Sequence, residues 1–163
     1  MENYQLNTNW CLWYHSINDT SWKNSSYKQL YILKNLYDLK CIQDSIQKIH
    51  LQNGMFFIMR EDIFPTWEDP ENREGCCISY KIPSHELIEQ WNFLITRILT
   101  EDILIDKEKY NLINGVSISP KKEFNIVKIW LRENDEKYYE WIKSYSPYYT
   151  KEKVLIKKHE LSD

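Results

Sequence analysis

The sequence has no alanine, only three glycines, and no apolar run long enough to span a membrane. The opening residues MENYQLNTNW carry no apolar stretch of the kind a secretory signal needs, so a cytoplasmic, membrane-free protein is expected. There is no excess of basic residues: the formal net charge is -3 and the pI about 5.8. That balance excludes a protein that grips long nucleic acid by its phosphates over a broad surface; any contact of that kind must be local. The four cysteines, Cys11, Cys41, Cys76 and Cys77, form no C-x-x-C pair, and no histidine stands at zinc-finger spacing from them. They read as reduced thiols, and the vicinal pair Cys76–Cys77 as two side chains on opposite faces of a strand. No G-x-S-x-G, phosphate-binding G-x-x-x-x-G-K, G-x-G-x-x-G or H-E-x-x-H occurs, and His15, His50, His85 and His159 share no motif. Each histidine reads as a surface or satisfied core residue, no cofactor or metal is expected, and the chain does not read as an enzyme.

What is abundant is Ile, Asn, Lys and Tyr, as an AT-rich coding sequence would give, and above all aromatics: seven Trp and twelve Tyr in 163 residues. At this length one domain with a sizeable core is expected. NWCLWYH alternates with a strand period, and YKQLYILKN, MFFIMRE and CCISYKI read as further strands. Asn35 is a plausible N-cap for a helix carrying Leu36, Leu39, Ile42, Ile46 and Ile49. Pro83-Ser84 opens a second helix with the stripe Leu87, Trp91, Leu94, Ile98. GVSIS and NIVKIWLRE form a hairpin around PKKEF, DEKYYEWIKSY reads as a third helix with Asp135 near its start, and KVLIKK as a last strand. Paired strands broken by separate helices do not make a parallel βαβ pattern. They predict an α+β domain: one curved antiparallel β-sheet with three helices packed on its convex face and a concave side free to hold a ligand. Residues 1–163 form that single domain, with 1–8 as a short flexible lead-in.

Four of the Trp residues, Trp10, Trp13, Trp91 and Trp141, sit in patterns that bury a face. Trp22 in TSW and Trp67 in IFPTWEDPENREG follow strand-like runs, sit among turn-forming residues and belong to no apolar stripe. They read as exposed stacking surfaces. In WEDP, Asp69 reads as a cap on local backbone N–H groups, separate in role from Glu68.

NWCLWYH, TSW, IFPTWEDPENREG, EQWNFLI and NIVKIWLRE occur in the order and approximate spacing of the eukaryotic translation initiation factor 4E family, the mRNA cap-binding proteins. Over about residues 6 to 160 the sequence resembles a divergent, viral-type member of that family. The resemblance implies that Trp22 and Trp67 sandwich the 7-methylguanine base, that Glu68 reads the guanine N1–H and N2 amino edge, and that Trp130 packs against the N7 methyl, the alternative for Trp130 being an ordinary sheet-core residue. For the cap phosphates it implies Lys121, with Lys128, Lys122 and Lys158 (beside Lys157) as further candidates, because Ile126 and Cys76 stand where the family carries cations. The same lysines read equally well as solvated surface charges.

On the helical face the resemblance implies a partner-binding surface at Leu36 and Lys40. Lys40 replaces the family's anchor Trp, and Asn92 and Thr96 replace two apolar contacts, so a scaffold partner similar to initiation factor 4G is doubtful. Capped mRNA is the expected partner and a monomer the expected state. The function implied is cap binding in translation initiation, with a cap-sequestering repressor and a binder of a differently modified cap as alternatives.

Overall fold

In a computed structural model the protein is described over residues 4–134, 138–145, 147–150 and 155–158, without the side chains of 138, 139 and 155–158. Seven strands form one antiparallel sheet: β1 (Gln5–Ser16), β2 (Tyr27–Asn35), β3 (Gly54–Arg60), β4 (Cys76–Pro83), β5 (Ile113–Pro120), β6 (Phe124–Leu131) and β7 (Leu155–Lys158), in the order β2-β1-β3-β5-β6-β4-β7. β1 begins at Gln5, which pairs with Asn35, so residues 5–8 are strand rather than flexible lead-in.

Period-two alternation sorts the strand residues into two clusters. Trp10, Leu12, Phe56, Ile58, Ile78, Val116, Ile118, Val127 and Ile129 join the large core beneath the helices. Their neighbours Trp13, Met55, Phe57, Met59, Cys77 and Trp130 form a smaller cluster on the other face. Cys76 and Cys77 fall one in each cluster, as expected for vicinal residues of a strand. Register shifts between Leu12 and Trp13 and between Ile113 and Gly115 mark bulges, which bend the strands that carry them.

The helices are α1 (Leu36–Ser45), α2 (Lys48–Asn53), α3 (Leu87–Leu99) and α4 (Tyr138–Trp141). The Asn35 side chain accepts the Asp38 N–H at 2.9 Å and caps α1 as expected. The single helix predicted through Ile49 is instead two. Ile46 and Gln47 are extended, and Gln47 caps α2 in a reciprocal box with His50, leaving Ile49 exposed. α3 buries its whole predicted stripe, Leu87, Trp91, Leu94 and Ile98, after a 3-10 turn at Ser84–Glu86. Of the predicted third helix, the described residues show one turn, Tyr138–Trp141. After Trp141 the chain extends to pair with residues 103–105, with Ile142 and Leu104 both buried. Asp135 lies outside the described residues.

Candidate functional site

The loop between β3 and β4 is folded by its own polar side chains. Asp69 accepts the Phe64 N–H and the Glu71 N–H, each at 2.9 Å, so it does cap local backbone donors. The fully buried Asn72 donates to the Phe64 carbonyl at 3.2 Å and the Thr66 carbonyl at 2.8 Å. Asn114, at the β5 bulge, donates to the Glu71 carbonyl at 2.7 Å and to Asn72 Oδ1 at 2.9 Å. Arg132 donates to Asn114 Oδ1 at 3.4 Å and pairs with Glu71 at 3.3 Å. The loop is thus keyed to the sheet rather than hanging from it. At its end Gly75 crosses the Leu131 carbonyl so closely that a Cβ could not fit.

This keying holds Trp67 half-buried against the cluster of Phe57, Met59 and Trp130, with Glu68 exposed beside it. Across the face, Trp22 rises from the β1–β2 loop at a φ of 51° and remains 50% exposed. Between them lies a cleft of about 640 Å³. Its walls include Trp22, Trp67, Pro65 and Glu68, and its floor comes from alternate strand residues: Met55, Phe57, Ser117, Ser119, Lys128 and Trp130. The Trp130 indole N–H donates to Ser117 Oγ at 2.9 Å, which fixes the ring's edge in the floor. The Lys128 ammonium sits 5.9 Å from the Trp67 ring centroid. Tyr27 closes one end, tilted against Phe57 and edge-on to Phe64. Burial, with the Glu68 carboxylate adding, pushes its hydroxyl up to about 12, so it stays a neutral donor. Burial also pushes the Cys77 thiol up, against the pull of Lys128. Aromatic walls, a carboxylate and one cation suit a flat, electron-poor ring bearing an anionic tail.

The structure therefore brings together Trp22, Trp67, Glu68, Trp130 and Lys128. Lys121 and Lys122 are exposed in the β5–β6 turn, where the Lys121 N–H closes the hairpin on the Phe124 carbonyl at 2.8 Å, and they do not line the cleft. Lys157 and Lys158 lie opposite Cys77 and Cys76 in β7, but their side chains are outside the described residues, as is His159. Among the described residues no cluster of His, Cys, Asp or Glu could hold a metal.

Leu36 and Lys40 are on the other side of the sheet, on α1. Lys40 pairs with Asp44 at 2.9 Å, with both side chains in solvent. Gln43 donates to the Asn92 carbonyl at 3.2 Å and to Thr96 Oγ1 at 2.8 Å, clasping α1 to α3 through the residues that stand in place of two apolar contacts. The residues that sequence reasoning missed are Tyr27, the floor of β3 and β5, and the Asn72–Asn114 key. The floor was available in principle from the strand period; the key carries no sequence signal, since Asn in PEN looks like any turn residue.

Residues 5–153 match the family described as Eukaryotic initiation factor 4E. An initiation factor 4E homolog of Acanthamoeba polyphaga mimivirus is 33% identical over 72 residues, covering 44% of this chain and 26% of that protein. Initiation factor 4E of Candida glabrata is 25% identical over 140 residues, 82% of this chain and 65% of the yeast protein. The chain thus spans less than two thirds of either relative's length. Among solved structures, Ascaris suum initiation factor 4E-3 in complex with an m7G cap superposes with a TM-score of 0.73 at 20% identity, covering 83% of this chain and 77% of that one, a likeness of fold. The match over nearly its full length places this chain in the eukaryotic initiation factor 4E family.

Proposed function

We propose that the protein binds the 7-methylguanosine cap of mRNA and acts through it in translation initiation, as a single, monomeric, non-enzymatic domain in the cytoplasm. The observation that carries this reading is one cleft lined at once by Trp22, Trp67 and Glu68. Methylation at N7 leaves the purine with a delocalised positive charge. Between two indoles such a ring gains stacking of about 1–3 kcal/mol per aromatic and a cation–π contribution of about 0.5–2 kcal/mol. The Glu68 carboxylate, at the rim, accepts from N1–H and the N2 amino group, a pair adenine does not present. Hydrogen bonds to a charged group contribute roughly 1.5–3 kcal/mol. Trp130 in the floor meets the N7 methyl. Lys128 takes the first phosphate charge, and Lys121, Lys122 and Lys158 are the further phosphate candidates.

The test is a titration followed by Trp fluorescence, with 7-methyl-GTP, GTP and 7-methyl-GMP. Binding of 7-methyl-GTP at least tenfold tighter than GTP is expected, and equal affinities would overturn the cationic sandwich. A trimethylated cap analogue binding more tightly than 7-methyl-GTP would favour a differently modified cap.

A second reading, sequestration of caps away from ribosomes, is favoured by the helical face. The Lys40–Asp44 pair and the Gln43–Thr96 clasp replace apolar anchor positions with satisfied polar ones. Losing an aromatic anchor can cost 2 kcal/mol or more in an interface. A scaffold-derived peptide that binds the cap-loaded protein tightly would refute this second reading.

A further inference from the structure

We propose that His15 is the positioning residue for Trp22: its imidazole backs the indole face turned away from the cleft and sets the plane against which the base stacks. This inference rests on the cap-binding reading and adds to it a third ring, giving the order imidazole, indole, base, indole. The two protein rings lie with centroids 4.0 Å apart and planes 8° from parallel. Trp22 lines the cleft and is half-exposed, whereas His15 is fully buried and does not line it, so the imidazole covers the far face of the indole.

The ring plane of His15 is itself fixed. Its Nδ1 lies 2.8 Å from the Ser16 carbonyl, and since a carbonyl only accepts, Nδ1–H donates there. Tyr27 meets the imidazole edge-on at 4.9 Å. Nε2 is buried with no hydrogen-bond partner among the described residues. A buried polar atom left unpaired costs stability, and an apolar ring of the same size would avoid it. What the histidine offers in return is a flat ring whose rotation is locked by its own N–H.

Trp22 needs such support. A φ of 51° is an outlier for a bulky residue and persists only where the surroundings over-determine it. Turn bonds hold the backbone on both sides: Asp19 Oδ1 accepts the Ser21 N–H at 2.9 Å, and the Ser26 N–H donates to the Lys23 carbonyl at 2.8 Å. Those bonds place the Trp22 Cα but leave the indole free to turn about its side-chain torsions. The stacked imidazole restrains that rotation, so the slot does not have to pay the ordering of its outer wall when the base arrives.

The experiment is a double-mutant cycle read by calorimetric titration with 7-methyl-GTP, with thermal melts confirming the fold of each variant. His15→Leu keeps an apolar side chain at the site but removes the flat face; affinity about tenfold weaker is expected, on the scale of one stacked ring. In a Trp22→Ala background the same change should cost less than about twofold, because its effect runs through the indole. His15→Phe restores a ring and should bind within about threefold of wild type. No loss in His15→Leu, an equal loss in the Trp22→Ala background, or a loss in His15→Phe as large as in His15→Leu would each overturn the inference. If Trp22→Ala binds too weakly to measure, the Phe rescue decides; if His15→Leu does not fold, His15→Met, flexible and unbranched, takes its place. A wild-type chain that fails to prefer 7-methyl-GTP over GTP removes the cap reading and this inference with it. A discriminating wild type beside a silent His15 variant removes the inference alone.

Discussion

Asp69 commits both carboxylate oxygens to its own loop, while Glu68, one residue earlier, stands at the cleft rim. Substitutions at the two should separate cleanly. Asp69→Ala leaves the Phe64 and Glu71 N–H groups without their acceptor and should lower stability by about 1–3 kcal/mol, seen as a lower urea midpoint. Glu68→Gln, at an exposed position, should shift stability by no more than about 0.5 kcal/mol yet weaken 7-methyl-GTP binding on the order of tenfold. Unchanged affinity in Glu68→Gln would remove its base-reading role. The separation was legible in the sequence, since an Asp in a tight WEDP turn has backbone donors within reach. The Asn72–Asn114 bond was not, because those residues lie 42 apart and only the fold brings them together. His15 escaped for a related reason: its period placed it on the slot face, but nothing local announces which ring it will stack on.

Elements meet where one side chain ties several of them. Arg60, at the end of β3, bonds Glu101 through two nitrogens at 2.9 Å each, Thr8 at 2.6 Å, the Ile113 carbonyl at 2.7 Å and the Tyr110 carbonyl at 2.9 Å. It also lies 4.3 Å over the Trp10 ring. All five guanidinium donors are thus engaged, joining β1, β3, β5 and the turn after α3. Arg60→Ala takes the guanidinium from a largely buried Glu101 carboxylate, which keeps the Asn7 amide at 3.1 Å, and should cost about 3 kcal/mol in denaturant melts, while Arg60→Leu combined with Glu101→Leu should recover part of that loss. A single Arg60→Ala variant as stable as wild type would show that the cluster carries no weight. Strand identities were readable where neighbouring residues alternate between the two faces of the sheet, as in β1, β3 and β6. Helix ends were less so: the break at Ile46 and Gln47 comes from a Gln–His capping box, an uncommon pairing for that motif, and the early end of α4 from pairing with residues distant in sequence.

For the molecule as a whole, acid sensitivity should concentrate at Asp102, which receives Lys143 at 2.7 Å, Arg97 at 2.6 Å and Lys107 at 3.4 Å. These partners, Lys143 foremost, hold its carboxyl well below the usual carboxylate range. A depressed folded-state value stabilises the fold above the unfolded carboxylate's pKa of about 4, and that contribution is lost as pH falls through the folded-state value. Asp102→Asn should therefore melt below wild type at pH 7, and the gap should narrow as pH drops under about 4. A gap that widens in acid would reverse the sign of the argument.

The sheet that these ties brace has a consequence beyond stability. Odd and even positions of β3 and β6 answer to different constraints, Ile58, Val127 and Ile129 to the core and Phe57, Lys128 and Trp130 to the cleft. A lineage can therefore alter the lettering of its ligand face without disturbing the register that holds the scaffold. Inheritance of the fold and drift of the recognition code travel on alternate residues of the same strands.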